Sequence, residues 1–111
     1  METIRQFEPA DRYVYDWGLC SSDKNFAQVD TSQDASYFGT WANPFKRIIV
    51  CYCEGDVTLQ IAETDAEFVA ELRNIQQWNI DNGHRFLGID PGFNKALAAK
   101  FAELGLADLV H

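Results

Sequence analysis

Hydrophobic and polar residues alternate along the first half of the chain, which predicts β-strands. In RYVYDWGLC, residues 12–20, Tyr13, Tyr15 and Trp17 share one face of the predicted first strand. Further strands are predicted at residues 25–31, 36–42, 46–54 and 57–63, with turn-forming segments between them. Because these connections are short, consecutive strands should pair as an antiparallel meander.

A helical period replaces this alternation from Thr64 onward. Phe68, Leu72 and Ile75 recur at helical spacing, and Thr64 with Glu67 forms a capping box that predicts where the helix begins. A second helix is predicted over residues 91–104. We therefore expect a single α+β domain over residues 1–111. It would be a five-stranded antiparallel meander followed by two C-terminal helices packed on one face of the sheet.

Cys51 and Cys53 lie in the best predicted strand, KRIIVCYCE, and point to the same face because they are two residues apart. Their Cβ atoms should lie ~6.5–7 Å apart, which is too far for a disulfide. The spacing also differs from that of zinc ligand pairs. We therefore expect no metal and no cofactor, and we interpret both cysteines as small apolar residues.

The two faces of the predicted sheet differ in polarity. One face is wholly apolar and is expected to lie under the helices; it carries Ile48, Val50, Tyr52, Val57, Leu59 and Ile61. The opposite face is too apolar to be left to solvent. We interpret it as an interface for a homodimer or a protein partner, with candidate residues Val14, Phe26, Ile49, Cys51 and Cys53.

The segment DASYFGTWANPF concentrates aromatic residues next to Gly39 and Pro44. Tyr37 and Trp41 are the candidate aromatic wall of a binding site. We favour the alternative that the segment forms an aromatic part of the core at a sheet edge, and Gly39 marks either a bulge or a close approach of the backbone.

The stretch LGIDPG, residues 87–92, resembles the first-strand motif of Holliday-junction resolvases in the RNase H-like superfamily, whose Asp binds a divalent metal. In that family the motif is followed by another strand and further acids, whereas here the next residues have a helical pattern. We therefore predict that Asp90 is the N-cap of the second helix, with Pro91 in its first turn, and we assign no catalytic residue.

The chain carries a net charge of −8, and its few basic residues are scattered. Direct binding of nucleic acid needs a basic face, so this class is excluded. The sequence has neither an apolar run of membrane-spanning length nor a signal-like start. With three cysteines, an odd number, the composition favours a reducing compartment, and we expect a cytoplasmic protein.

Nothing in the sequence groups a nucleophile with a base, so a non-enzymatic role is favoured. We expect a small acidic protein-interaction domain, accessory or regulatory, of the general character of proteins carried by mobile genetic elements. One alternative is a small-molecule-binding domain with a pocket between sheet and helices. Another is an acidic mimic of nucleic acid that inhibits a basic protein. An enzyme that uses scattered carboxylates also stays open.

Overall fold

The computed structural model describes residues 4–6, 23–54 and 56–111, and these form a six-stranded sheet with two helices. The strands are β1 (Ile4–Gln6), β2 (Ala27–Thr31), β3 (Phe38–Asn43), β4 (Ile48–Cys53), β5 (Asp56–Ala62) and β6 (Phe86–Asp90). Helix α1 (Asp65–Asp81) follows β5, and α2 (Lys95–Glu103) and a short 3-10 turn (Ala107–Leu109) follow β6. All neighbouring strands pair antiparallel, in the order β1-β5-β4-β3-β2-β6. The predicted α+β class is confirmed.

The sheet differs from the predicted five strands at its two edges. Strands β2 to β5 form the expected meander, but β6 pairs with β2 and β1 pairs with β5. Strand β6 is short and contains Gly88, whose φ of 139° suits glycine and whose added Cβ would lie 2.5 Å from the His111 ring. A central glycine weakens the strand pattern, which is why the sequence did not predict β6. The strand predicted over residues 12–20 lies outside the described residues.

Helix α1 begins where the sequence predicts. The Glu67 N–H donates to Thr64 Oγ1 at 3.1 Å, and the Glu67 carboxylate accepts from the Glu63 N–H at 3.0 Å. After the last helical turn, Gly83 adopts a φ of 79°, the left-handed conformation that ends many helices.

Helix α2 begins later than predicted, because a turn separates it from β6. Asn94 is its N-cap and accepts from the Leu97 N–H at 3.1 Å. The Asp90 carboxylate instead accepts from the Gly92 N–H at 2.8 Å and closes a turn over Pro91. The prediction that Asp90 caps this helix is therefore wrong.

The main core lies between the sheet and the two helices. It contains Ala27, Val29, Ala42, Ile49, Ala62, Phe68, Leu72, Ile89, Leu97, Phe101, Leu106 and Leu109. Three of the sheet residues are alanines, and their small size lets the rings of Phe68 and Phe101, 6.5 Å apart, approach the strands. Both helices thus pack on one face, and it is the face that carries Ile49 and Cys51.

A second apolar cluster occupies the opposite face of the sheet. It contains Phe26, Ile48, Val50 and Leu59, with Trp41, Val57 and Ile61 packed against them, and α1 and α2 contribute no side chain to it. The prediction that this face lies under the helices is wrong. Val50 is 0% exposed and Ile49 is 1% exposed, so both faces of the sheet are buried at the beginning of β4. Apolar content alone could not tell which face the helices cover.

No helix in the described residues is long and apolar enough to cross a bilayer.

Candidate ligand-binding site

A cavity of about 320 Å³ lies between the sheet and the C-terminal half of α1. Small-molecule sites in proteins begin at this size. Its floor is formed by the helix-facing side chains of β2, β3 and β4, and its sides by α1 and the loop after β2. The residues that line it are Gln28, Val29, Asp30, Thr31, Gln33, Ala35, Phe38, Gly39, Thr40, Cys51, Tyr52, Cys53, Ile75, Trp78 and Asn79.

The cavity exists because α1 stops presenting large apolar side chains to the sheet. The stripe of Phe68, Leu72 and Ile75 continues at Asn79, which is small and polar. Trp78 is 54% exposed and stacks on His84 with ring centroids 6.3 Å apart. The space above β2, β3 and β4 is therefore left unfilled.

A pair of amide side chains lies at the α1 side of the cavity. Asn79 is 2% exposed; its Oδ1 accepts from Gln33 Nε2 at 2.6 Å, and its Nδ2 donates to the Ile75 carbonyl at 2.9 Å. The Gln33 N–H donates to Thr31 Oγ1 at 3.2 Å, which holds the loop against the end of β2. Two amides from distant parts of the chain are thus fixed next to an apolar cavity.

Cys51 and Cys53 share a face, as predicted, and both line this cavity. Cys51 packs against the core, and its Sγ accepts a hydrogen bond from the Thr40 hydroxyl at 3.8 Å. Cys53 is exposed. Burial raises the pKa of the Cys51 thiol despite this hydrogen bond, and the nearby Glu71 carboxylate raises it further. Cys51 is therefore a neutral packing residue and a poor nucleophile.

The residues predicted for a dimer interface do not share an open face. Ile49 is 1% exposed beneath the helices, and Phe26 belongs to the cluster on the opposite face. Val14 lies outside the described residues. The expected open face is wrong, because the sequence assigned the helices to the other face of the sheet, whereas the homodimer itself stays a prediction.

The predicted aromatic wall of Tyr37 and Trp41 is not part of the cavity. Tyr37 is 55% exposed in the turn before β3. Trp41 points to the opposite face and borders a second, more open hollow of about 620 Å³ that Asp90 also lines. The same segment does line the cavity, but through Phe38 and Thr40, because alternate residues of β3 point to opposite faces.

The surroundings of the cavity carry negative rather than positive charge. Asp30 is among the lining residues and lies 3.3 Å from the His111 ring nitrogen, and Glu71 is close enough to act on Cys51. The lining residues in the described part of the chain include no lysine, arginine or histidine. Among the same described residues, no three or more His, Cys, Asp or Glu side chains are grouped so as to hold a metal ion.

Comparison of the chain with protein-family models, with curated proteins and with solved structures found no match. The function is therefore inferred from the residues of the cavity.

Proposed function

We propose that this domain binds a small molecule in the cavity between α1 and strands β2, β3 and β4. The observation that carries the proposal is an apolar cavity of about 320 Å³ with a buried amide pair on one side. That space corresponds to about ten water molecules at ~30 Å³ each. Ligand sites combine such an apolar wall with a few fixed polar groups that set the orientation of the ligand.

The proposal is tested by measuring the melting temperature of the protein across a diverse fragment library. A ligand at 100 times its Kd adds about 2.7 kcal/mol to the free energy of unfolding. For a domain of this size that raises the Tm by roughly 10 °C. We expect a set of apolar fragments to produce such stabilisation.

Two variants at Thr40, on the cavity floor, locate the effect. Thr40→Phe places a ring in the cavity and should abolish stabilisation by the fragments. Thr40→Val keeps the volume of the side chain and removes only its hydroxyl, so stabilisation should persist. If no fragment stabilises the wild type, or if fragments stabilise Thr40→Phe equally well, the domain does not bind ligands at this site.

A protein partner is the second candidate function, and exposed apolar side chains support it. Phe93, before α2, is fully exposed, and Leu87 on the edge strand β6 is 51% exposed. Apolar side chains of this kind mark contact sites when they are contiguous. Mimicry of nucleic acid rests on the net charge of −8 alone and stays a prediction.

A further inference from the structure

The amide pair replaces an apolar contact that the pattern of α1 would otherwise supply. Asn79 continues the stripe of Leu72 and Ile75 toward the sheet, yet it is a polar side chain that is 2% exposed. Burying an amide costs free energy unless its hydrogen bonds are made. Asn79 offsets this cost through its bonds to Gln33 and to the Ile75 carbonyl, and the pair places uncharged polar groups next to the cavity.

Each amide can form more hydrogen bonds than it forms within the described residues. A primary amide has two donor hydrogens and an oxygen with two lone pairs. Asn79 uses one hydrogen on the Ile75 carbonyl and one lone pair on Gln33, and Gln33 uses one hydrogen on Asn79. One donor and one acceptor remain on Asn79 beside the cavity, and Gln33 lines the same space.

The charges around the cavity select against an anion. Glu71 lies near Cys51, and the described lining contains no lysine, arginine or histidine; Asp30 also belongs to the lining, but its carboxylate lies 3.3 Å from His111 Nε2. A negatively charged ligand would lose its hydration and gain no opposite charge in return. The polar groups held next to the cavity are the two amides, so the ligand is recognised through uncharged hydrogen bonds.

We infer that the cavity takes an uncharged, mostly apolar molecule with an amide-like edge, a donor next to an acceptor, as in a lactam or a nitrogen heterocycle. The Gln33–Asn79 pair forms hydrogen bonds with that edge, and the apolar body of the ligand lies against Val29, Phe38 and Ile75. This inference rests on the proposed function, because it names the ligand class of the same cavity.

Three bicyclic probes of similar shape test the inference by isothermal titration calorimetry. Carbostyril is a lactam with a donor beside an acceptor, N-methylcarbostyril lacks the donor, and naphthoate is an anion. We expect wild-type protein to bind carbostyril at least about tenfold more tightly than the other two, because an unpaired buried polar group lowers affinity.

Variants of the amide pair should then remove the preference for carbostyril over N-methylcarbostyril while the cavity stays in place. Gln33→Met and Asn79→Leu keep the approximate size of each side chain, and Asn79→Leu also restores the apolar stripe of α1. We expect each variant to bind carbostyril and N-methylcarbostyril within about twofold of each other. Thr40→Phe should bind neither probe.

The outcomes separate the two claims. If carbostyril and N-methylcarbostyril bind wild type equally well and Thr40→Phe abolishes both, the cavity binds ligands but the inferred class is wrong. If both amide variants still bind carbostyril more tightly than N-methylcarbostyril, the amide pair does not recognise the ligand and the inference fails. If no probe and no library fragment binds, the proposed function itself fails.

Discussion

Cys51 and Cys53 share a strand and a face but differ in their environment. Cys51 is packed against the core with a raised pKa, and Cys53 is exposed at the end of β4. The thiolate is the reactive form of a cysteine. Burial and a raised pKa therefore both slow the reaction of Cys51, whereas Cys53 is open to the reagent. The two thiols should therefore react at very different rates in the folded protein.

We expect Cys53 to react with Ellman's reagent at pH 8 at least about tenfold faster than Cys51. The comparison uses Cys20→Ser/Cys51→Ser, which leaves Cys53, and Cys20→Ser/Cys53→Ser, which leaves Cys51. In denaturant the two rates should converge, which controls for intrinsic reactivity. Equal rates in the native protein would show that Cys51 is not buried as described.

At the scale of single residues, the sequence predicted which side chains share a face but not what they would face. The alternation of β4 correctly placed Cys51 and Cys53 together. The amide pair was missed because Gln33 and Asn79 are 46 residues apart and meet only through the tertiary fold. A polar residue at the fourth position of an apolar helical stripe was the signal that could have indicated Asn79.

At the scale of elements, local capping signals predicted α1 well and α2 poorly. The box of Thr64 and Glu67 has few competing interpretations, so the beginning of α1 was correct. Before α2, both Asp90 and Asn94 are suitable N-caps, and the residues after each can continue as a helix. The insertion of β6 and its turn decided in favour of Asn94, and that depends on strand pairing with β2.

The cap assignment gives an element-scale prediction. Asn94→Ala should lower the free energy of unfolding by about 1 kcal/mol, because it removes the acceptor for the Leu97 N–H. That loss corresponds to a decrease in Tm of roughly 4 °C. Thermal unfolding followed by circular dichroism measures it.

Two controls separate the cap from its other contact. Asn94→Asp keeps the capping oxygen but loses the bond from Nδ2 to the Lys24 carbonyl at 2.7 Å, so it should cost less than Asn94→Ala. Asp90→Ala removes one bond in an exposed turn and should also cost less. A larger loss for Asp90→Ala than for Asn94→Ala would return the capping role to Asp90.

At the scale of the whole molecule, an ion pair connects α1 to the 3-10 turn that follows α2. Arg73 bonds both oxygens of Asp108, at 2.8 and 2.9 Å, and also the Gly105 carbonyl at 3.3 Å. The guanidinium lowers the pKa of Asp108 below its ordinary value. Two bonds between one guanidinium and one carboxylate give this surface pair a defined geometry.

The lowered pKa predicts how the contribution of the pair depends on pH. The stabilisation is present above the unfolded-state pKa of Asp108, near 4, and is lost as the pH falls through the lower folded-state value. We therefore expect Asp108→Asn to have a lower Tm than wild type at pH 7, and the difference to shrink below about pH 4.

A double-mutant cycle with Arg73→Met isolates the pair from other effects of each substitution. The coupling between the two positions should be measurable at pH 7 and weaken in acid. A coupling that does not change with pH would mean that Asp108 acts through packing and not through its charge.

The pairing of β6 with β2 also determines when the sheet can be completed. Gln28 lies opposite Asp90, although strands β3, β4 and β5 and helix α1 separate them along the chain. Contacts so distant in sequence close large loops and tend to form late in folding. On the ribosome, β2 can pair with β3 early, but its other edge stays unpaired until residues 86–90 leave the exit tunnel. Strand β2, which contributes to the floor of the cavity, is thus an exposed sheet edge for most of synthesis, the state in which edges tend to associate with other chains.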